Sequence, residues 1–382
     1  MGTREACLEH TKERVLNLED TEAASIECVI GKVESGRVRG CGLYAVQCGG
    51  RRMAMSNLAM KIVIAGGSGQ VGTLLGRAFQ TDGHEVVVLS RRPGSAPWRT
   101  VGWDAESLGD WTAELEGADV VINLAGYTVN SRYSAKVRKT IIDSRVNSTR
   151  VLGAAISQAK RPPRLWLQAS TATIYAHTYG EPHDEKNGVI GGEEEDVPET
   201  WGFSIEVAKA WENAAAEADV PDTRKVVLRS AMIMSPDRGG IFDTLLTLVR
   251  YGLGGQAADG QQFISWVHYK DFVDAMYWLI EREDIEGVVN VAAPNPLPQK
   301  EFMRAIRKAW GMPIGLPATK WMLEIGAFFM RTETELILKS RRVVSGRLME
   351  EGFVFRYPDW GEAAKGLCEG WRAVVGGTKE KN

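Results

Sequence analysis

The chain has 382 residues but only five cysteines, and Cys7, Cys28, Cys41 and Cys48 all fall within the first 48 positions. Cys368 stands alone in the remainder, which excludes a disulfide framework there and fits a reducing cytoplasm. Long apolar runs are also lacking. None approaches the ~18 residues of a membrane span, and the longest candidate, Trp321 to Met330, contains Glu324. Charge of one sign is not in excess: the formal net charge is -3 at pH 7, which leaves no global basic field for nucleic acid. Metal-ligand spacing is lacking too. Cys7, His10, Cys41 and Cys48 fit no regular zinc finger, and His177, His183 and Asp184 have no further ligand at a recognisable spacing, so no metal is assigned. The first 59 residues show neither sustained periodicity nor a secretory pattern. They read as a disordered extension, or preferably as sequence ahead of a true start at Met60.

What the chain does have is Lys61-Ile62-Val63-Ile64-Ala65-Gly66-Gly67-Ser68-Gly69-Gln70-Val71-Gly72. Ile62 to Ala65 form a short apolar run suited to a parallel strand buried on both faces. Val71, Leu74, Leu75, Ala78 and Phe79 then recur at helical spacing, and Thr81-Asp82-Gly83 stops the helix. A glycine-rich turn between strand and helix is built to hold the phosphates of a dinucleotide. Gly66 allows the tight turn, Gly69 lets backbone N–H groups approach a pyrophosphate, and Gly72 brings helix and strand close. The whole turn, Gly66, Gly67, Ser68, Gly69, Gln70, Val71 and Gly72, is assigned to the cofactor.

The second strand, within Glu85 to Pro93, decides which dinucleotide. A unit that prefers NAD usually places Asp or Glu at this strand end to bond the ribose 2′-OH. Here Ser90, Arg91 and Arg92 follow instead. A guanidinium grips a 2′-phosphate that a carboxylate would repel. NADP(H) is therefore expected over NAD(H). Solvated arginines at a strand end are the plainer alternative.

From residue 60 strands and helices alternate, which calls for an α/β doubly wound parallel sheet of Rossmann type covered on both faces. A short third strand is expected to end near Val101 to Asp104, and a fourth is expected over 118–126. Asp104, Asn123, Ala125 and Gly126 extend the expected cofactor wall. Helices are expected over 134–159 and 203–218, strands over 164–171 and 225–229, and a polar loop over 179–200. After Pro236 the glycine spacing changes. Residues 60–235 are read as the nucleotide-binding domain and 236–375 as a smaller substrate-binding and C-terminal helical domain, with helices near 299–310 and 317–330 and a tail at 376–382.

These motifs together resemble the extended short-chain dehydrogenase/reductase superfamily. Gly66-x-x-Gly69-x-x-Gly72 is similar to its cofactor turn and Asn123-Leu124-Ala125-Gly126 to its fourth-strand motif. Val146-Asn147-Ser148-Thr149 is similar to its helix motif, and Ser170-Thr171-Ala172-Thr173-Ile174-Tyr175 to its active-site segment. Asp143-Ser144-Arg145-Val146, Ile264-Ser265-Trp266-Val267-His268, Asn290 to Pro296 and the tail Leu336 to Pro358 resemble an atypical subgroup usually labelled epimerase family protein, with a C-terminal domain of unknown function. The resemblance covers about residues 60–375. It implies a Rossmann-type domain with a small substrate domain at the strand C-termini.

Members of that superfamily typically use a Tyr-x-x-x-Lys pair, in which the Lys charge lowers the Tyr pKa. Matching Trp201 to Glu212 puts Ser204 at the Tyr position and Ala208 at the Lys position. Lys209 lies about 100° further round the helix. Other residues are therefore candidates for catalysis: Ser170 and Thr171 as donors to a carbonyl, Tyr175 as a nearby phenol, and Glu206 as an acid or base. The resemblance adds Asn147 as a relay position. Ser170 and Thr171 also read as a strand end, Tyr175 as packing and Glu206 as solvated. Arg132 and Tyr133 follow the fourth strand, where a substrate enters. Arg132 can clamp a phosphate or carboxylate there or simply sit at the surface. His268 is read as structural. The expected function is an NADP(H)-dependent oxidoreductase or epimerase-like enzyme acting on a small molecule, with no nucleic-acid or membrane partner. The alternative is a catalytically silent NADP(H)-binding sensor.

Overall fold

A computed structural model of the chain describes residues 47–48, 51–52, 59–129, 131, 133–194, 198–318 and 338–379. Residues 1–59 form one unit and 60–382 another. The described part of the first is a short antiparallel ladder of Gln47–Cys48 with Arg51–Arg52. The rest of the extension lies outside the described residues, as does most of the helix expected over 317–330.

Seven parallel strands make the sheet of the second unit. In chain order they are β1 (Lys61–Ala65), β2 (Glu85–Ser90), β3 (Arg99–Gly102), β4 (Val120–Asn123), β5 (Leu165–Thr171), β6 (Arg224–Ser230) and, after three short strands of smaller ladders and two helices, β10 (Gly287–Val291). The intervening strands are β7 (Met232–Met234), β8 (Phe263–Ile264) and β9 (Trp266–His268). In space the sheet runs β10-β6-β5-β4-β1-β2-β3. The order in which strands are added reverses between β1 and β4, so a crevice opens at their carboxyl ends.

Alternation along the strands divides the core. Ile62, Ile64, Val86, Val88 and Ile122 point to one face, against Leu74, Leu75 and Phe79 of α1 (Gln70–Thr81) and Phe272 and Met276 of α5 (Tyr269–Glu281). Val63, Val87, Leu89 and Val121 point to the other, against Leu152 and Ile156 of α2 (Ala135–Gln158). Ser134 caps α2, its hydroxyl accepting from Val137 N–H. α3 (Glu199–Ala216) lies beside α2, with Phe203 and Val207 packed on Ile141.

A further core joins α4 (Ile241–Arg250), α6 (Gln299–Trp310) and α8 (Trp360–Lys379), where Trp360 stacks on Phe302 with centroids 3.9 Å apart. β8 pairs with β11 (Leu297–Pro298), and α7 covers Gly346–Glu350. The chain crosses the expected division at residue 236 more than once. α5 and β10 return to the nucleotide-type sheet, because the Val226 and Leu228 backbone on β6 needs a pairing strand that only residues 287–291 supply. The third strand runs 99–102 and so ends within the expected 101–104, its register set by Val87 to Ser90.

Candidate functional site

Two turns meet at the crevice. Gly66 has φ +72°, and a Cβ there would fall 2.6 Å from Ala125 Cα. Gly72 packs the start of α1 on the turn so closely that a Cβ would lie 2.3 Å from Gly67 Cα. Gly69 caps α1 in an extended conformation, and a Cβ there would meet nothing nearer than Gly66 O at 4.0 Å. No side chain caps α1 and no acidic residue sits in its first turn. Its leading N–H groups are thus available to an anion.

Beside this turn lies a cavity of about 710 Å³ lined by Gly66, Ser68 and Gly69 from the β1 turn, and by Ser90, Arg91 and Arg92 beyond β2. Ser90 ties the two segments: its hydroxyl lies 3.2 Å from Ser68 Oγ and accepts from Arg92 N–H at 3.2 Å. Arg91 and Arg92 are exposed and make no ion pair among the described residues. Trp103, Asp104, Ala105 and Glu106 close this end. The Asp104 carboxylate accepts from the N–H groups of Glu106 and Ser107, each at 2.9 Å, and from the Ser107 hydroxyl. The Ser107 hydroxyl bond first, then those backbone bonds, hold its pKa down at about 2.

The opposite wall is Leu124, Ala125, Gly126, Tyr127 and Ser144. Asn123 is fully buried behind it. Its Oδ1 accepts from Ala125 N–H at 3.1 Å, and its Nδ2 donates to Gln168 Oε1 at 3.0 Å and to Thr149 Oγ1 at 3.2 Å. Asn123 therefore shapes the wall instead of lining it. Gly67, Gln70, Val71 and Gly72 likewise do not line the cavity. Gly72 acts through packing, and the Gln70 amide lies against Gly240. Ser144 Oγ accepts from Tyr127 N–H at 2.9 Å, and Arg145 Nη1 donates to Tyr127 O at 3.0 Å.

Further along β5, the candidate side chains are engaged internally. Ser170 Oγ donates to Glu212 Oε1 at 2.6 Å, and Glu212 receives Arg229 through Nε at 2.8 Å and Nη2 at 2.7 Å. Arg229 Nη1 donates to the Tyr175 oxygen at 3.0 Å, and Tyr175 donates to Asn290 Oδ1 at 2.9 Å. Tyr175 is 2 % exposed and stacks on His183, and burial pushes its phenol pKa up. Thr171 caps a short 3-10 helix, Ala172–Ile174, accepting from Thr173 N–H at 3.1 Å. Glu206 is exposed on α3, and Asn147 is partly buried on α2 with no hydrogen bond among the described residues. Tyr133 packs edge-on against Phe203, with centroids 5.0 Å apart. Arg132 lies outside the described residues. Among the described residues, no three His, Cys, Asp or Glu side chains are grouped to hold a metal, and no helix is long and apolar enough to cross a membrane.

Residues 62–292 match the NAD dependent epimerase/dehydratase family. The chain belongs to that family. Residues 318–367 also match a domain of unknown function, DUF1731. The chain is 31% identical to the epimerase family protein SDR39U1 of Bos taurus over 310 residues, covering 80% of this chain and 99% of the relative. The epimerase family protein ML0860 of Mycobacterium leprae is 28% identical, with 81% and 96% covered. The crystal structure of human SDR39U1 (isoform 2) with NADPH superposes with a TM-score of 0.71 at 28% identity, covering 81% of this chain and 99% of that one.

Within this epimerase family framework, the two helix positions matched to Tyr and Lys carry Ser204 and Ala208. Ala208 is buried among Ala172, Ile174, Tyr175 and Val343. Ser170 and Tyr175 do not meet in the cavity, because the Glu212–Arg229 pair draws both into the seam between β5, β6 and α3. Sequence reasoning did not assign a role to Trp103, Tyr127, Ser144 or Arg145. The first three line the cavity and Arg145 backs it. Ser144 and Arg145 stood within a motif that carried the family resemblance, but nothing in the string says which residues turn inward.

Proposed function

We propose that the chain binds NADPH in the cavity between the β1 and β4 turns and acts as an oxidoreductase or epimerase-like enzyme on a small molecule. The observation that carries this reading is the rim beyond β2. There a serine bonded to the glycine turn is followed by two guanidiniums without carboxylate partners among the described residues. That is the surface a 2′-phosphate needs. The NADPH in the human relative's structure supports the same cofactor.

Gly66, Ser68 and Gly69 would cradle the pyrophosphate, while Ser90, Arg91 and Arg92 would hold the 2′-phosphate. Asp104, Ala125 and Gly126 would wall the adenosine side and the middle of the cofactor. Thr171, Glu206, Tyr133 and Asn147 remain the candidates for contact with substrate, with Arg132 beside them. Residues 60–235 carry the cofactor surface in this reading, and 236–375 carry substrate recognition. A cytoplasmic location accords with one cysteine after residue 59, and cell fractionation tests it.

Calorimetry of the full chain with NADPH and NADH tests the cofactor. NADPH is expected to bind about 10- to 150-fold more tightly, the worth of one charge-assisted bond. Arg91→Glu is expected to reverse the order. Equal affinities in both proteins would overturn the reading. Ser204 and Ala208 favour a second outcome, a cofactor sensor: NADPH uptake without oxidation across a panel of carbonyl substrates would select it.

A further inference from the structure

Arg145 directly follows Ser144, a cavity residue, and its guanidinium lies against the Gly126 wall. A Cβ on Gly126 would come within 3.0 Å of Arg145 Cζ. Nη1 donates to the carbonyls of Tyr127 at 3.0 Å and Ile141 at 3.1 Å, and Cζ lies 4.9 Å from the centre of the Trp211 ring. Among the described residues no carboxylate pairs with it. The ionisable neighbour acting on it is the phenol of Tyr133. The nearby Arg229 shows the contrast, since Glu212 neutralises it through two bonds.

Arg145 is partly buried; withdrawing a cation from water without an anion is unfavourable, and here it lowers the guanidinium pKa to about 10. Nε and Nη2 make no hydrogen bond among the described residues. The Trp211 indole N–H, in the same seam of α2 and α3, is buried with no acceptor among the described residues. A hydroxyl ligand would satisfy the Arg145 N–H groups but leave the charge. A phosphoryl or carboxylate oxygen would satisfy both. Gly126 fits this arrangement, because any side chain there would push the guanidinium off the wall.

We propose that Arg145 is the anion-recognition residue of this cavity, holding a phosphoryl or carboxylate oxygen beside Gly126 and Tyr127 with Trp211 as its platform. This rests on the cavity being the ligand site described under Proposed function. The oxyanion belongs either to the substrate or to the cofactor's pyrophosphate, and the two sources separate experimentally.

The experiment is calorimetry of the full chain with inorganic phosphate and with acetate, each with and without saturating NADPH, alongside an NADPH titration. Wild type, Arg145→Met and Arg145→Lys are compared. Saturable anion uptake is expected in wild type, about 10- to 150-fold weaker in Arg145→Met and substantially restored in Arg145→Lys. Uptake that persists with NADPH bound assigns the oxyanion to the substrate. Anion displaced by NADPH, with NADPH affinity falling in Arg145→Met and returning in Arg145→Lys, assigns it to the cofactor. Anion and NADPH affinities that are the same in wild type and Arg145→Met would overturn the proposal, as would no anion uptake by wild type with an unchanged NADPH affinity in Arg145→Met. If Arg145→Met loses its circular dichroism spectrum, Arg145→Gln replaces it in the same comparison. Wild type that ignores NADPH but takes up phosphate through Arg145 would sink the cofactor reading and leave this one standing.

Discussion

The Glu212–Arg229 pair shows how one buried contact redirects a whole set of side chains. Both partners are mostly buried, at 14% and 11% side-chain exposure, and the bond is bidentate. Glu212→Gln would leave the guanidinium without its anion and release Ser170 and Tyr175 together. A loss of about 3 kcal/mol is expected, measurable by urea unfolding; a change under 1 kcal/mol would contradict the geometry. The glycine turn was legible in the sequence because Gly66 and Gly72 each stand where a Cβ would collide with backbone. Ser90 was legible because a strand end has a fixed place beside the turn. Ser170 and Tyr175 were legible in position but not in orientation, since their distant partners, Glu212 for Ser170 and Asn290 and Arg229 for Tyr175, carry no local signature. Arg145 was hidden for a related reason: the sequence shows an arginine, but not that a carboxylate is missing beside it.

At the scale of elements, the start of α5 holds two opposed titrations. His268 caps the helix, its Nδ1 accepting from Lys270 N–H, and stacks on Tyr357. Burial, then the charges of Lys270 and Arg356, lower its pKa to about 3. The Asp271 carboxylate accepts from Arg356 and Tyr357 N–H, and burial raises its pKa to about 6. His268 protonates in the unfolded chain first, so it costs stability as pH falls from about 6.5 towards 3. Asp271 protonates in the folded chain first, so its contribution is lost as pH rises from about 4 to 6. His268→Asn keeps a capping side chain but removes the first titration. Its stability relative to wild type is expected to improve by roughly 1–3 kcal/mol between pH 6.5 and 4. Parallel stability curves for the two proteins would refute this. α2 and α6 were readable from periodicity and punctuation. β10 was not read as a strand, because five residues of Gly-Val-Val-Asn-Val acquire their meaning only from β6.

For the molecule as a whole, the descriptive boundary at 236 is not a physical one. Ser345 adds a second tie: its hydroxyl donates within reach of the carbonyls of Asn290 at 2.6 Å and Ala292 at 2.8 Å, and accepts from Ala292 N–H at 2.8 Å. Val343 N–H donates to Ser265 Oγ at 2.7 Å, so the C-terminal stretch fastens the strand region from behind. A fragment ending at 235 is expected to lack a cooperative thermal transition and to sediment as aggregate, whereas 60–382 melts as one step. A soluble, cooperatively melting 60–235 fragment would contradict this. Because β10 closes the sheet, the consequence reaches into biosynthesis. Until residue 291 has left the ribosome, β6 presents an unpaired edge of Val226, Val227 and Leu228 to every neighbouring nascent chain. The interval in which about 60 further residues are made is therefore when a chaperone that shields strand edges matters most to this protein.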